Sequence, residues 1–90
     1  MVFEFDKKKN LINKQKHGID FYEAQKLWYN NAKVLYEKTV DGEDRFSVVG
    51  YIDQKCYIGI FTFRGRNVRI ISVRRCRKSE KERYIDENHC

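Results

Sequence analysis

The sequence predicts one α+β domain, in which a short strand and two helices precede an antiparallel meander of four strands and a last helix follows it. Three observations carry this expectation. Apolar residues recur at helical spacing as far as Trp28 and alternate with polar ones from Lys33 onward. Short turn signals cut the alternating half into four runs. Ninety residues are enough for one hydrophobic core and too few for two, so residues 1–90 are read as a single domain.

In order, Phe3 and Phe5 alternate with Val2 and Glu4, the pattern of a short first strand. Asp6 is placed to cap a helix from about Lys7 to Lys16, and Gly18 to end it in the left-handed conformation. A second helix follows at once. Asp20 and Glu23 form a D-x-x-E variant of the capping box, Phe21, Ala24, Leu27 and Trp28 share an apolar face, and Asn30-Asn31 ends it. Val34 to Lys38 reads as a strand, Asp41-Gly42-Glu43-Asp44 as a turn and Arg45 to Ile52 as the next strand. Asp53-Gln54 turns into Lys55 to Phe63, and Arg64-Gly65-Arg66 into Asn67 to Arg75. Ser79 and Glu82 make an S-x-x-E box that opens a final helix running to about Glu87. The expected order is β-α-α-β-β-β-β-α.

If the short turns set the register, one sheet face carries Phe46, Val48, Ile52, Tyr57, Phe61, Phe63, Ile71 and Val73, with Arg69 among them. The other carries Val49, Ile58, Ile60, Val68 and Ile70, edged by Arg45, Ser47, Thr62, Ser72 and Arg74. The first is expected to pack the early helices. The second is unusually apolar for a solvated face, so either the last helix or a protein partner covers it.

With 41% hydrophobic and 14% aromatic residues the chain has the composition of a folded protein. No apolar run approaches the roughly 20 residues of a membrane-spanning helix. The N-terminus has no basic-then-apolar signal pattern, which predicts a cytoplasmic protein. Cys56, Cys76 and Cys90 are odd in number and widely spaced, with no CxxC pair, so Cys56 is expected to be a buried, reduced thiol; neither a metal site nor a cofactor is expected.

The net charge of +6 is unevenly spread. Seven of the nineteen Lys and Arg residues lie between Arg64 and Lys78, with no acid among them, and the other twelve face thirteen acids. A local excess of this kind is either a solvated basic face or a surface that meets a polyanion.

The chemistry that suits these residues is metal-free RNA cleavage, in which the ribose 2′-hydroxyl attacks the adjacent phosphate. It needs a base, an acid, and cations on the phosphate oxygens. Arg64 and Arg66 flank Gly65 in a hairpin loop, where they reach outward. Arg69, inside an apolar strand, either lines a cleft or pairs with Glu4 or Glu37, since an unpartnered buried guanidinium is costly. Arg74 and Arg75 point to opposite faces, so one of them at most reaches a given phosphate. His17 either favours the negative end of the first helix or serves as general acid or base. Tyr84 and Glu82 are candidate proton donor and acceptor, Lys14 and Lys16 candidate phosphate contacts.

Several of these stretches, in order, resemble the BrnT toxin family: Phe3-Glu4-Phe5-Asp6, Lys14 to Asp20 (K-Q-K-H-G-I-D), Glu23-Ala24, Thr62-Phe63-Arg64, Arg69 to Arg75 (R-I-I-S-V-R-R), Glu80 and Tyr84. The resemblance implies a RelE-like fold and a ribonuclease toxin of a type II toxin–antitoxin pair. Its partner is then a BrnA-like antitoxin that neutralises the toxin, binds operator DNA and joins it in a higher-order complex. His17, Arg64, Arg69, Arg74 and Tyr84 correspond to the family's basic and polar positions. Val73, where related sequences often have alanine, and Cys76 after the arginine pair depart from the pattern. The catalytic set is accordingly His17, Arg64, Arg69 and Tyr84, with Lys14, Lys16, Arg66, Arg74 and Arg75 on RNA. The alternative is a non-catalytic nucleic-acid-binding domain, or an inactive toxin remnant acting with a DNA-binding partner.

Overall fold

The computed structural model describes residues 1–29 and 32–82. Strand β1 (Phe3–Glu4) leads into helix α1 (Lys7–His17), then a short helix α2 (Phe21–Ala24) that tightens into a 3₁₀ turn over Gln25–Trp28. Four strands follow: β2 (Lys33–Val40), β3 (Glu43–Ile52), β4 (Lys55–Arg64) and β5 (Asn67–Arg75). Residues 78–82 open a last helix, α3. The sheet order is β1-β5-β4-β3-β2, the last four strands forming the predicted meander and β1 lying parallel beside β5.

The caps behave as their residue types dictate. The Asp6 carboxylate accepts from the backbone N–H groups of Lys8 and Lys9 at 2.8 and 3.1 Å. Gly18, at φ 72°, donates its N–H to Lys14 O, and Asp20 accepts from the N–H of Glu23 at 2.7 Å. These side chains satisfy helix-end groups that have no partner inside the helix. The hairpin turns likewise use positive φ: Asp41 and Gly42, Asp53 and Gln54, and Gly65. The second helix is shorter than predicted, because the chain tightens at Gln25 to lay Leu27 and Trp28 on the sheet over Gly59. A Cβ at Gly59 would meet Val48 Cγ1 at 3.1 Å and both of those side chains at 3.6 Å.

The core lies between the sheet and the early helices. Ile19, Phe21, Ala24 and Leu27 pack on Val48, Ile52, Phe61, Val68, Ile70 and Val73, with Phe3, Phe5 and Trp28 at the margin. This corrects the predicted faces of β5. The pairing of Phe61 with Ile70 and of Ile60 with Ser72 leaves Ile71 as an extra residue, a β-bulge. The bulge puts Val68, Ile70 and Val73 on one side despite their uneven spacing, and it turns Arg69 away from the core. On β3 and β4 the predicted alternation stands.

Two further expectations are revised. Cys56 is buried as predicted but not a free thiol. It is bonded to Cys76, with Cα atoms 5.4 Å apart, because the β4–β5 pairing of Tyr57 with Arg75 carries on to this pair. The disulfide stands with Val49, Ile58 and Tyr51 in a second apolar cluster on the outer face. The last helix is capped not by the Ser79–Glu82 box but two residues earlier, where Glu80 accepts from the backbone N–H of Arg77 at 2.8 Å. Its predicted end near Glu87 lies outside the described residues.

One side chain holds α1 to the sheet. β1 pairs with β5 only at Val68 and Arg69, so the edge of β5 beyond them needs another partner. Asn13, 5% exposed in the middle of α1, provides one. Its amide donates to Val73 O at 2.9 Å and to Ile19 O at 2.8 Å, and its carbonyl accepts from Val73 N–H at 3.0 Å.

Asn13→Ala strands three buried backbone groups, and at about 1 kcal/mol or more for each chemical denaturation should show a loss of roughly 3 kcal/mol. Asn13→Asp, which keeps only the acceptors, is expected to cost nearly as much. The disulfide closes a loop of 20 residues, so reduction, or Cys76→Ser, should lower stability by about 2–3 kcal/mol on a chain-entropy estimate. A thermal melt with and without reductant reads this directly.

Candidate nucleic-acid interface

The meander presents its outer face as rows of side chains, one residue per strand, because neighbouring strands pair in register. One row runs across the whole sheet. Glu4 pairs with Arg69 and Arg69 with Thr62. Continuing from the Phe46–Phe61 pair, Thr62 stands beside Arg45, and Arg45 pairs with Lys38. The next row toward the β4–β5 turn holds Arg64 opposite Asn67. Arg64 and Arg69 are therefore diagonal neighbours on one face, a relation that spans about 7–8 Å.

Each of these arginines except Arg45 has a carboxylate. Arg64 meets Glu43 at 3.6 Å and Arg69 meets Glu4 at 3.7 Å. Glu4 also accepts a long bond from the Asn67 amide at 3.4 Å. Both ion pairs are loose and partly solvated, the Arg64 side chain being 56% exposed, and such pairs contribute about 0–1 kcal/mol.

Arg74 is held differently. Its two guanidinium nitrogens bond both oxygens of Glu80 at 2.8 Å, and Nη1 also donates to the Arg75 carbonyl. The guanidinium bonds hold the Glu80 carboxyl below the usual carboxylate range, helped by the Arg77 N–H, and Glu80 in turn raises Arg74. This clamp ties the start of α3 to β5, so Arg74, expected on RNA, has its fork already filled.

Other predicted residues are dispersed. Arg75 is on the opposite face, its guanidinium 5.6 Å from the Tyr57 ring centre. Lys14 bonds Glu23 at 2.8 Å and the Gly18 carbonyl at 3.3 Å, and Glu23 raises its pKa. Arg66 is exposed in the β4–β5 turn. Tyr84 lies outside the described residues. His17 and Lys16, both exposed, line a shallow cleft with Lys9, Ile12, Asn13, Ile71 and Ser72. That cleft runs along the β5 edge, and Ser72 belongs to the same outer face as Arg69. A larger cleft, lined by Gly42, Glu43, Asp44, Phe46, Thr62 and Phe63, carries two carboxylates and no cation, the wrong sign for a phosphate. Among the described residues no cluster of His, Cys, Asp or Glu is placed to hold a metal ion.

Three residues of this surface were not singled out in the sequence: Arg45, Lys38 and Lys9. Arg45 appeared only as an edge residue of the second face, and nothing in its local sequence separates it from a solvated strand cation. Its Nε is one of two buried side-chain donors without a partner among the described residues, the other being Trp28 Nε1 in the core.

Residues 5–80 match the family model for the ribonuclease toxin BrnT of type II toxin–antitoxin systems, which is well over half of the chain. No curated protein matches the chain.

Glu80→Gln should destabilise the protein at neutral pH. The sign follows from a folded-state pKa below the ordinary 4.5: the stabilisation is fully present above that value and is lost as pH falls through the folded pKa. The difference in melting temperature between wild type and E80Q is therefore expected to shrink as pH falls below 4.5 and to vanish once pH is below the folded-state pKa.

Proposed function

The chain belongs to the BrnT family of ribonuclease toxins of type II toxin–antitoxin systems, and from that premise we propose how it cuts RNA. A ribose 2′-hydroxyl gives up its proton and attacks the adjacent phosphate without a metal ion; as the P–O2′ bond forms the P–O5′ bond breaks, leaving a 2′,3′-cyclic phosphate, and the departing 5′-oxygen takes up a proton. Arg64 and Arg69 hold the phosphate oxygens, and His17 moves a proton at the edge of the same face, with Tyr84 as second proton carrier. Lys16 and Arg66 contact the strand on either side.

The observation that carries this reading is the diagonal placement of Arg64 and Arg69 on one face, each bound only by a loose carboxylate whose side chain is 33% exposed. Breaking either ion pair costs at most about 1 kcal/mol, whereas a phosphate offers bidentate, charge-assisted bonds roughly twice as strong as neutral ones. Glu43 and Glu4 therefore act as stand-ins for the substrate. The same criterion sets Arg74 apart, since its bidentate clamp is the stronger arrangement. His17 lines the cleft that reaches Ser72, and an imidazole has ring nitrogens that can donate or accept a proton.

The domain is read as RelE-like and as acting in the cytoplasm. Its antitoxin is a BrnA-like, DNA-binding protein that covers this face or its border and assembles with the toxin into a higher-order complex.

Expression without the antitoxin should arrest growth and cut RNA in the presence of a chelator. Arg64→Ala and Arg69→Ala proteins that remain folded should each cleave about 100-fold more slowly, and His17→Gln by a comparable factor. Unchanged rates in both arginine variants would defeat the site assignment. Wild-type protein that binds RNA with a steep salt dependence but never cuts it would instead identify a non-catalytic binding domain.

A further inference from the structure

Arg45 and Lys38 stand side by side on the outer face. They pair directly across β2 and β3, and like charges at such a position repel. Arg45 is half-buried, yet its Nε is sealed from solvent without a hydrogen-bond partner among the described residues. A buried donor left unmet in a native protein calls for an explanation. The nearby acids do not supply one, because Glu43 lies on Arg64, Glu4 on Arg69, and Asp44 accepts from the Thr39 hydroxyl at 2.6 Å. The unmet donor and the like-charge pair are separate observations, and a bound anion resolves both.

We propose that Arg45 and Lys38, facing each other across β2 and β3, form a second phosphate subsite for the RNA strand whose scissile phosphate lies at Arg64 and Arg69. The inference rests on the ribonuclease reading and extends it. Arg45 lies in the same row as Arg69, two strands away with Thr62 between them, a separation of about 10 Å. The Thr62 hydroxyl is turned to the Asp44 carbonyl at 2.7 Å, so the row between the two arginines carries no charge of its own. A strand held at Arg69 and continuing over Thr62 meets Arg45 and Lys38 next. A guanidinium and an ammonium are both phosphate donors, and the fork of Arg45 supplies the directional bonds. An extended polyanion fits this row better than a compact one, because its successive charges fall at separate places on the sheet.

The test is binding of a short single-stranded RNA with 2′-methoxy groups, which keeps every phosphate and lacks the attacking hydroxyl. Fluorescence anisotropy over a salt series reads the slope of log affinity against log salt. Arg45→Gln and Lys38→Gln should each make the slope shallower by about 0.7, the value for one phosphate contact on a single strand, and the double variant by about twice that. Lys55→Gln, which removes the same charge beside the β3–β4 turn, should leave it unchanged. Lys38 is exposed, so K38Q carries the test if R45Q fails to fold. The melting temperature of R45Q should hold or rise, because the change removes an unmet donor and a repulsive neighbour.

Wild-type slopes in both single variants would overturn the proposal, and so would wild-type slopes accompanied by weaker capture of the antitoxin, which would assign the pair to a protein partner. Cleavage of unmodified RNA separates the two readings. If wild type cuts while these variants keep its slope, the subsite falls and the ribonuclease reading stands. If the slopes change as expected but nothing is cut, catalysis falls and the subsite stands. Wild type that neither binds nor cuts overturns both.

Discussion

The arrangement of this domain depends on one amide. β1 is two residues long, so the edge of β5 that faces away from β4 has a neighbouring strand for only a small part of its length. Backbone groups at a covered sheet edge must find partners. Asn13 bonds both the N–H and the C=O of Val73, as a neighbouring strand does, and its third bond, to Ile19 O, fixes the turn between α1 and α2. Asn10 on the same helix accepts from the Phe21 N–H at 2.7 Å, which sets where α2 begins. The seating of Phe21, Ala24 and Leu27 in the core and the placing of His17 along the β5 edge both follow from these side chains. Here the helix serves as the missing strand.

What the sheet does with its charges follows from the same register. Arginine-rich strands are usually read as undivided basic patches, but pairing sorts this one by how tightly each cation is already bound. Arg74 is clamped by two short bonds and belongs to the architecture. Arg64 and Arg69 have weak partners, which on the proposed reading a phosphate displaces, and Arg45 has none among the described residues. A single slip of register would exchange these roles, so the bulge at Ile71 matters to function as well as to packing. It lets Val68 and Ile70 enter the core while Arg69 stays on the outer face.

That bulge marks the limit of what the sequence discloses. The helix caps, the positive-φ turns and the meander were legible because each rests on local chemistry: a carboxylate at Asp6 and Asp20, a glycine at Gly18, an Asp-Gly pair at Asp41-Gly42. The faces of β3 and β4 were legible because their alternation is uninterrupted. Along Ile70-Ile71-Ser72-Val73 the identities are apolar on either reading, and only the pairing with β4 reveals which isoleucine is the extra one. The disulfide was missed for a related reason, since Cys56 and Cys76 become partners only once the bulged register is known. For the site, the density of arginines was plain, and Glu4 had been named among the partners considered for Arg69. The ranking of those arginines was not, because it depends on acids at the far end of the chain for Arg69 and one strand away for Arg64. Asn13, indistinguishable in type from Asn10 and Gln15 in the same basic helix, gave no signal at all.

This sorting also separates attraction from grip. An arginine beside its own carboxylate is nearly a dipole, and its field fades quickly with distance. A lone cation is felt out to about 8 Å at physiological salt. In the free protein, then, the residues named for catalysis contribute little to drawing RNA in. The work of steering falls to cations that project from turns, helices and the β2 edge, such as Arg66, Lys16 and Lys38. On the proposed reading, Arg64 and Arg69 exchange their glutamates for a phosphate only when it reaches the row, and the displaced carboxylates return to water. Two weak ion pairs would thus keep Arg64 and Arg69 ordered and close to neutral until substrate arrives, without holding them so firmly that the substrate cannot enter.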